Sequence, residues 1–208
     1  KANVPSGLTN AIDVVGGGNH SIALKADGRV QAWGFNSGGQ TNVPSDLTNA
    51  IAVGGGYIHS LALRKDGTVA MWGDGTYSQT NAQSSLTNVG AISGNYYGSI
   101  ALRSDGTVFA WGDNTYNQTN VPAGLSNVVI VAGGGYHSLA LKSDGTVVAW
   151  GYNNRNQTNV PAGLSNAVGI ACGGYHSLAL RANGTVTAWG RGDYGQTNVP
   201  VGLSNVVA

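Results

Sequence analysis

The chain is 208 residues long and contains 34 glycines, with 9% of its residues charged and a formal net charge of +1. A length of this order holds one sizeable domain assembled from small units. Few charges among many Gly, Asn, Ser and Thr exclude the clustered basic surface of a nucleic-acid binder and the composition of a disordered chain. No apolar run approaches the roughly 18 residues of a membrane-spanning helix, so membrane insertion is not expected. The opening KANVPSGLTN has neither the charged nor the apolar region of a signal peptide, so any export signal is read as absent or already removed. Asn-X-Ser/Thr sequons stand at Asn19, Asn117, Asn156 and Asn183, and matter only in a host that glycosylates exported proteins.

The predicted elements repeat. An opening segment, Lys1 to Asp13, leads into a first unit with a hairpin signal at Asp27-Gly28, a Trp-Gly pair at Trp33 and a Gln at Gln40. The pair returns at Trp72, Trp111, Trp150 and Trp189, and the Gln at Gln79, Gln118, Gln157 and Gln196, each a step of 39 residues. Self-similarity at such a period points to a propeller, solenoid or array. The fourth unit is the clearest. Asn127 to Val131, Ser138 to Lys142 and Thr146 to Trp150 read as three strands. Between the last two, Asp144-Gly145 predicts a two-residue type I′ hairpin turn, repeated at Asp66-Gly67, Asp105-Gly106 and Asn183-Gly184. The segment QTNVPAGLSN closes each unit, and its proline (Pro44, Pro122, Pro161, Pro200) assigns it to an edge strand or extended return. No stretch has helical periodicity, so the chain is predicted all-β.

Runs such as VVIVA and TVVAW are apolar on both faces, as expected of small sheets sandwiched between neighbours. This favours a β-propeller, read here as one repeat domain over residues 1–208 with units ending near residues 34, 73, 112, 151 and 190. The last 13 residues, Gln196 to Ala208, repeat the opening Lys1 to Asp13. Five units plus this partial repeat suit a closed ring with a spare segment, an open arc, or part of a larger propeller. Trp33, Trp72, Trp111, Trp150 and Trp189 are expected as structural core, packing unit against unit.

His20, His59, His137 and His176 also recur, with Gly98 in their place in the third unit. One residue per unit around a ring does not converge at metal-ligand distance, so these read as hydrogen-bonded structural histidines. The single cysteine, Cys172, falls where other units carry glycine and reads as a structural thiol, so disulfides play no part. No nucleophile–base–orienter set recurs, and the glycine runs precede strands rather than helices, so no enzyme activity, cofactor or metal is expected.

The run G-x-H-S-L-A-L-x-x-D-G-x-V-x-x-W-G, followed by N-Q or G-Q, resembles the regulator of chromosome condensation repeat. The unit length and the ending Q-T-N-V-P-A are similar to bacterial β-lactamase inhibitor protein II. The resemblance covers essentially the whole chain. It implies a β-propeller, seven-bladed in both relatives, and a bacterial protein that is extracellular or at the cell surface.

If consecutive strands run up, down and up, the GGGY loop and the loop after Trp-Gly share one rim, and the Asp-Gly turns lie on the other. Lys25, Arg29, Arg64, Lys65, Arg103, Lys142 and Arg181 flank those turns among aspartates, which reads as a solvated face. The opposite rim varies between units and gathers Phe35, Tyr57, Tyr77, Tyr96, Tyr97, Tyr116, Tyr136, Tyr152, Arg155, Tyr175, Arg191, Asp193 and Tyr194, with Asn19, Ile58, Asp74 and Asp113 beside them. Varied loops on a fixed frame are the usual home of recognition, and Tyr and Arg are favoured at interfaces. The expectation is a protein-binding propeller, inhibitor-like towards a secreted hydrolase if the resemblance extends that far. Alternatives are a structural or surface repeat that self-assembles through its terminal segments, and a carbohydrate-binding module. Exchange activity on a small GTPase, which the resemblance also raises, ranks last, since no inserted exchange element stands out.

Overall fold

The computed structural model describes residues 3–82 and 86–207. Among these, fifteen strands form five separate three-stranded antiparallel sheets, each made of consecutive strands. Unit 1 holds β1 (Ala11–Gly16), β2 (His20–Lys25) and β3 (Val30–Gly34); unit 2 holds β4 (Ala50–Gly55), β5 (His59–Arg64) and β6 (Val69–Gly73). Unit 3 holds β7 (Val89–Gly94), β8 (Gly98–Arg103) and β9 (Val108–Gly112), and unit 4 holds β10 (Val128–Gly133), β11 (His137–Lys142) and β12 (Val147–Gly151). Unit 5 holds β13 (Ala167–Cys172), β14 (His176–Arg181) and β15 (Val186–Gly190).

One local expectation needs correction. The Asp-Gly hairpins are not two-residue type I′ turns. Only the glycine has positive φ (79° at Gly145, and 77–81° at Gly28, Gly67, Gly106 and Gly184), while Asp144 does not. Lys142 N–H donates to Thr146 O at 2.9 Å and Gly145 N–H to Lys142 O at 2.9 Å, which makes a three-residue loop: a type I turn closed by a left-handed glycine. The aspartate instead accepts from the backbone of the residue two on, as Asp144 Oδ1 does from Thr146 N–H at 2.9 Å. The proline segment is a return without strand pairing. Pro44 O accepts from Leu47 N–H at 3.1 Å, so the chain turns there before the next sheet. The Asn preceding the first strand of units 1, 3, 4 and 5 (Asn10, Asn88, Asn127, Asn166) takes φ of 55–57°, a conformation Asn tolerates better than most residues.

Each first strand carries a bulge; in β10, Val128 pairs with Lys142 and Ile130 with Leu141, leaving Val129 unpaired. That residue is exposed in unit after unit (Ile12, Ile51, Val129, Val168), so its exposure reflects its place in the strand. The first strands pack side by side, β1 on β4, β4 on β7, β7 on β10 and β10 on β13, and form the inner edge of the stack.

Four hydrophobic clusters join the five units. Ile22 and Leu24 of unit 1 pack with Val53, Ala62 and Trp72 of unit 2. The same pattern places Leu61 and Leu63 on Ala101 and Trp111, Ile100 and Leu102 on Val131, Ala140 and Trp150, and Leu139 and Leu141 on Ala179 and Trp189. The alternation is therefore Leu or Ile towards the following unit and Ala or Trp towards the preceding one, and both faces of an interior sheet are dry. Each such aliphatic side chain contributes roughly 1.5–3 kcal/mol by leaving water.

A polar seam runs beside each cluster. The indole N–H of Trp72 donates to Gln40 O at 2.9 Å, Trp111 to Gln79 O at 3.0 Å, Trp150 to Gln118 O at 3.0 Å and Trp189 to Gln157 O at 2.9 Å. A serine hydroxyl reaches the same carbonyls, as Ser60 Oγ does at 2.8 Å and Ser177 Oγ at 2.8 Å. The glutamine side chain turns back on its own loop, Gln79 Oε1 accepting from Tyr77 N–H at 2.8 Å. One Gln thus fixes its loop and offers its carbonyl to the next unit, which accounts for its return at every step.

The histidines complete the seam. His20 Nε2 lies 2.9 Å from Ser60 Oγ, His59 Nε2 2.9 Å from Ser99 Oγ and His137 Nε2 2.9 Å from Ser177 Oγ. Because each serine hydrogen is committed to a glutamine carbonyl, its oxygen accepts and the imidazole carries its proton on Nε2. Burial, and to a lesser degree the neighbouring His20, pushes His59 down to about 4; burial and His176 push His137 down to about 4. Both are neutral at pH 7.

The two outer faces of the stack lack these partners. Trp33 is only half-buried and its Nε1 has no hydrogen-bond acceptor among the described residues, whereas Trp72, Trp111, Trp150 and Trp189 are each 7% exposed. Val14 is 57% exposed where Val53 and Val131 are 6% and 7%. At the other end Leu178 and Leu180 are half-buried and Ala171 is exposed, where Leu139, Leu141 and Ala132 are buried. Among the described residues no cluster joins unit 5 to unit 1.

Candidate functional site

The loops between first and second strands and the loops following the Trp-Gly pairs meet on one rim. They are joined by backbone hydrogen bonds: Phe35 N–H to Asn19 O at 2.9 Å, Asp74 to Ile58 at 2.9 Å, Asp113 to Tyr97 at 2.8 Å, Tyr152 to Tyr136 at 2.8 Å and Arg191 to Tyr175 at 2.9 Å. The Asp-Gly turns occupy the opposite rim, where Lys25–Asp27 and Lys142–Asp144 pairs (4.0 and 3.2 Å) sit in water.

All nine tyrosines of the chain are on the first rim, and eight are in ring contact. Tyr77 lies tilted against Tyr97 (5.0 Å between centroids), Tyr57 tilted against Tyr96 (5.4 Å) and Tyr96 edge-on against Tyr136 (5.4 Å). Tyr116 bridges Tyr136 (5.4 Å) and Tyr152 (4.7 Å), and Tyr175 closes the series against Tyr136 at 6.0 Å. Arg191 extends it, lying 5.8 Å over Tyr175 and 4.7 Å over Tyr194 while its guanidinium donates to Asp193 Oδ2 at 2.8 Å. The ridge crosses units 2 to 5. Phe35, half-exposed on unit 1, touches none of these rings, and Arg155 points to solvent. Crowding among the rings is enough to push the Tyr136 phenol up to about 12, through desolvation first and then the neighbouring Tyr175 and Tyr97. Desolvation likewise raises the Tyr96 and Tyr97 phenols, so these three are neutral donors and acceptors across the physiological range.

Asp74 and Asp113 hold the loops in shape. Asp74 accepts from Thr76 N–H at 2.8 Å and from Gln79 Nε2 at 3.1 Å, and Asp113 accepts from Gln118 Nε2 at 2.9 Å. The hydrogen bonds to Thr76, backbone first, hold the Asp74 carboxyl below the usual range. The rigid loops leave the tyrosines pre-positioned.

Inside the ridge lies a glycine-lined funnel of about 200 Å³, bounded by the Gly16–Gly18, Gly55–Gly56, Gly94, Gly133–Gly135 and Gly173–Gly174 turns with Tyr57, Tyr96, Asn95 and Cys172. The glycines are required by close approach. A Cβ on Gly56 would collide with the His59 ring, and those on Gly134 and Gly173 with His137 and His176. Cys172 is half-buried, with Sγ 3.5 Å from Ala132 O, and burial raises its thiol far above its ordinary range.

Asn95 is inconspicuous in the sequence. It stands in the series Gly17, Gly56, Gly134, Gly173, in the unit where Gly98 replaces histidine. The two departures compensate: without the imidazole there is room for an amide, and Asn95 Nδ2 reaches Ser138 Oγ at 3.3 Å, doing for unit 3 what histidine does elsewhere. The paired exchange was the available signal. Among the described residues no group of His, Cys, Asp or Glu could hold a metal ion, and no helix is long and apolar enough to cross a membrane.

A search of curated protein sequences finds no match. Among solved structures, the chain is similar to Prp20p of Saccharomyces cerevisiae, described with its binding properties to Gsp1p and histones, at 21% identity and TM-score 0.74 over 88% of this chain and 58% of that one. It is also similar to yeast RCC1 (Prp20) bound to Kap60 (22% identity, TM-score 0.73, 88% and 56%). The ectodomain of the Physcomitrella patens receptor kinase CR4 gives 23% identity and a TM-score of 0.77 over 91% and 54%. These likenesses show the fold, and the chain spans a little over half of each of these relatives. The model of the regulator of chromosome condensation (RCC1) repeat matches five times, at residues 11–40, 50–79, 91–118, 128–157 and 167–196. With the Trp–Gln and His–Ser seams recurring at the same step as those matches, the chain belongs to the RCC1 repeat family.

Proposed function

We propose that this chain is a non-enzymatic binding scaffold that recognises a protein partner with its tyrosine rim. The observation that carries this reading is the ridge of eight touching tyrosines on loops fixed by backbone hydrogen bonds. Tyrosine supplies large, rigid, amphipathic contact area at low entropic cost. The Prp20 relatives, whose named associates are Kap60, Gsp1p and histones, lend the reading a family context. Tyr57, Tyr77, Tyr96, Tyr97, Tyr116, Tyr136, Tyr152 and Tyr175 are the proposed contact surface, with Arg155, Arg191, Asp193 and Tyr194 at one end and Phe35 at the other. The finer form of the proposal is an inhibitor-like role towards a secreted bacterial hydrolase.

The test is surface plasmon resonance against a panel of secreted hydrolases that includes a β-lactamase. Replacing Tyr96, Tyr97 and Tyr136 together with Ala is expected to weaken capture at least about a hundredfold, because several hot-spot side chains are lost at once. Undiminished capture by the folded triple variant would remove the rim from the account.

The uncovered outer faces favour a second reading, association with further units of the same signature, offered in solution by a second copy. Among the described residues Trp33 Nε1 has no acceptor, and Leu178 and Leu180 lack the cover of their equivalents. Such a contact is heterologous. Light scattering is expected to show mass rising with concentration; a constant monomer mass contradicts this reading.

A further inference from the structure

Two members of the tyrosine ridge, Tyr57 and Tyr96, line the funnel, so a partner seated on that part of the rim lies over it. We infer that the funnel is a receptor for a single cationic side chain, arginine or lysine, projecting from that partner; the inference rests on the rim being the binding face.

Three features select the ligand. At about 200 Å³ the funnel is smaller than the roughly 300–1,000 Å³ of pockets that enclose a whole small molecule, and it suits one side chain. Six of its backbone amides are already committed. The backbone N–H groups of Gly17, Gly18, Gly56, Gly134, Gly135 and Gly173 are all spent on carbonyls of the chain, so these six offer an anion no hydrogen. The third feature is an unmet acceptor. Asn95 is only 4% exposed and its Oδ1 has no hydrogen-bond partner. The orientation of the amide follows from its neighbours: Ser138 Oγ gives its hydrogen to Gln118 O at 3.2 Å and must receive one from Asn95 Nδ2, which leaves Oδ1 turned to the Gly133 wall of the funnel. A buried acceptor without a partner is costly, and a donor supplied by a ligand removes that cost.

Tyr57 and Tyr96 complete the site. Both line the funnel mouth, and their rings lie 5.4 Å apart. Aromatic faces attract a guanidinium or ammonium and repel a carboxylate. No basic side chain lines the funnel to oppose the ligand charge. The Cys172 thiol, held protonated by burial, adds no charge of its own.

The experiment uses side-chain analogues, so it reads the funnel independently of any protein partner. The isotopically labelled chain is titrated with ethylguanidinium, n-butylammonium and, for comparison, acetate, and amide shifts are followed by NMR. Saturable shifts are expected at Gly17, Gly56, Gly134 and the Asn95 side-chain amide with at least one of the two cations, and none with acetate. The decisive variant is Asn95→Gly combined with Gly98→His, which rebuilds the His–Gly arrangement of the other four units. It therefore retains a folded architecture while losing the acceptor. Cation affinity is expected to fall about tenfold, the effect of one charge-assisted hydrogen bond. Cation shifts that persist unchanged in this variant, a site that prefers acetate, or no saturable shift with either cation would each overturn the inference. None of these outcomes removes the tyrosine rim, whose test is the triple alanine variant.

Discussion

Truncating Trp150 to Ala is expected to destabilise the protein by about 3–5 kcal/mol, while the same change at Trp33 costs less than half as much. Trp150 is 7% exposed, packs on Ile100 and Leu102 of the preceding unit, and gives its indole hydrogen to Gln118 O. Its removal opens a cavity between two sheets and also strands a carbonyl, although Ser138 Oγ still reaches that carbonyl at 3.2 Å and limits the polar part of the loss. Trp33 has the same sequence neighbours and is half-buried, and among the described residues it has no preceding unit and no indole hydrogen-bond acceptor. Equilibrium urea unfolding measures both. Repeat stacks can unfold in steps, so the comparison is made on the transition that reports the neighbouring units.

Acid is the second strong lever. His59 and His137 sit near pKa 4 in the folded chain and near 6.5 when unfolded. Between those values the unfolded state binds protons that the folded state refuses, so stability rises with pH across the window. The contribution is complete above about 6.5 and is lost as pH falls towards 4, by up to about 3 kcal/mol for each histidine. Denaturation midpoints recorded from pH 7 to pH 4 should fall steadily. His59→Gln and His137→Gln are expected to flatten the slope, because an amide can keep a bond to the serine without titrating. His20 and His176 are lowered less, consistent with their places on the two end units.

The architecture was legible because the chain spells one interface several times. The Trp, Gln, His and Ser that recur at one step are the four groups of the seam, and the Leu–Ala alternation of SLALK gives the two dry faces. Strand identity followed from the same pattern, with ends displaced because the first glycine of each run still pairs, as Gly133 does with Ser138. The Asp-Gly pair does not by itself specify the turn: a glycine in the left-handed region is shared by several hairpin loops, and only the backbone bonds of Lys142 and Gly145 distinguish them.

The rim was legible as composition but not as geometry. Nothing in the sequence says that Tyr116 of unit 3 meets Tyr152 of unit 4, or that Phe35 stands apart, because those relations depend on how far each sheet is rotated from the last. Asp74 and Asp113 read as rim charges, yet they serve the loop backbone. Asn95 was hidden for another reason: it matters only together with Gly98, and single-position reading sees two unrelated irregularities.

Hydrogen exchange at the indole N–H groups tests the stacking of units most directly. The five tryptophan side chains give separate NMR signals, and the seam predicts that Trp72, Trp111, Trp150 and Trp189 exchange slowly while Trp33 exchanges fast. Five signals exchanging alike, or rapid exchange at the four carbonyl-bound indoles, would contradict the proposition that each sheet is fastened to the one before it.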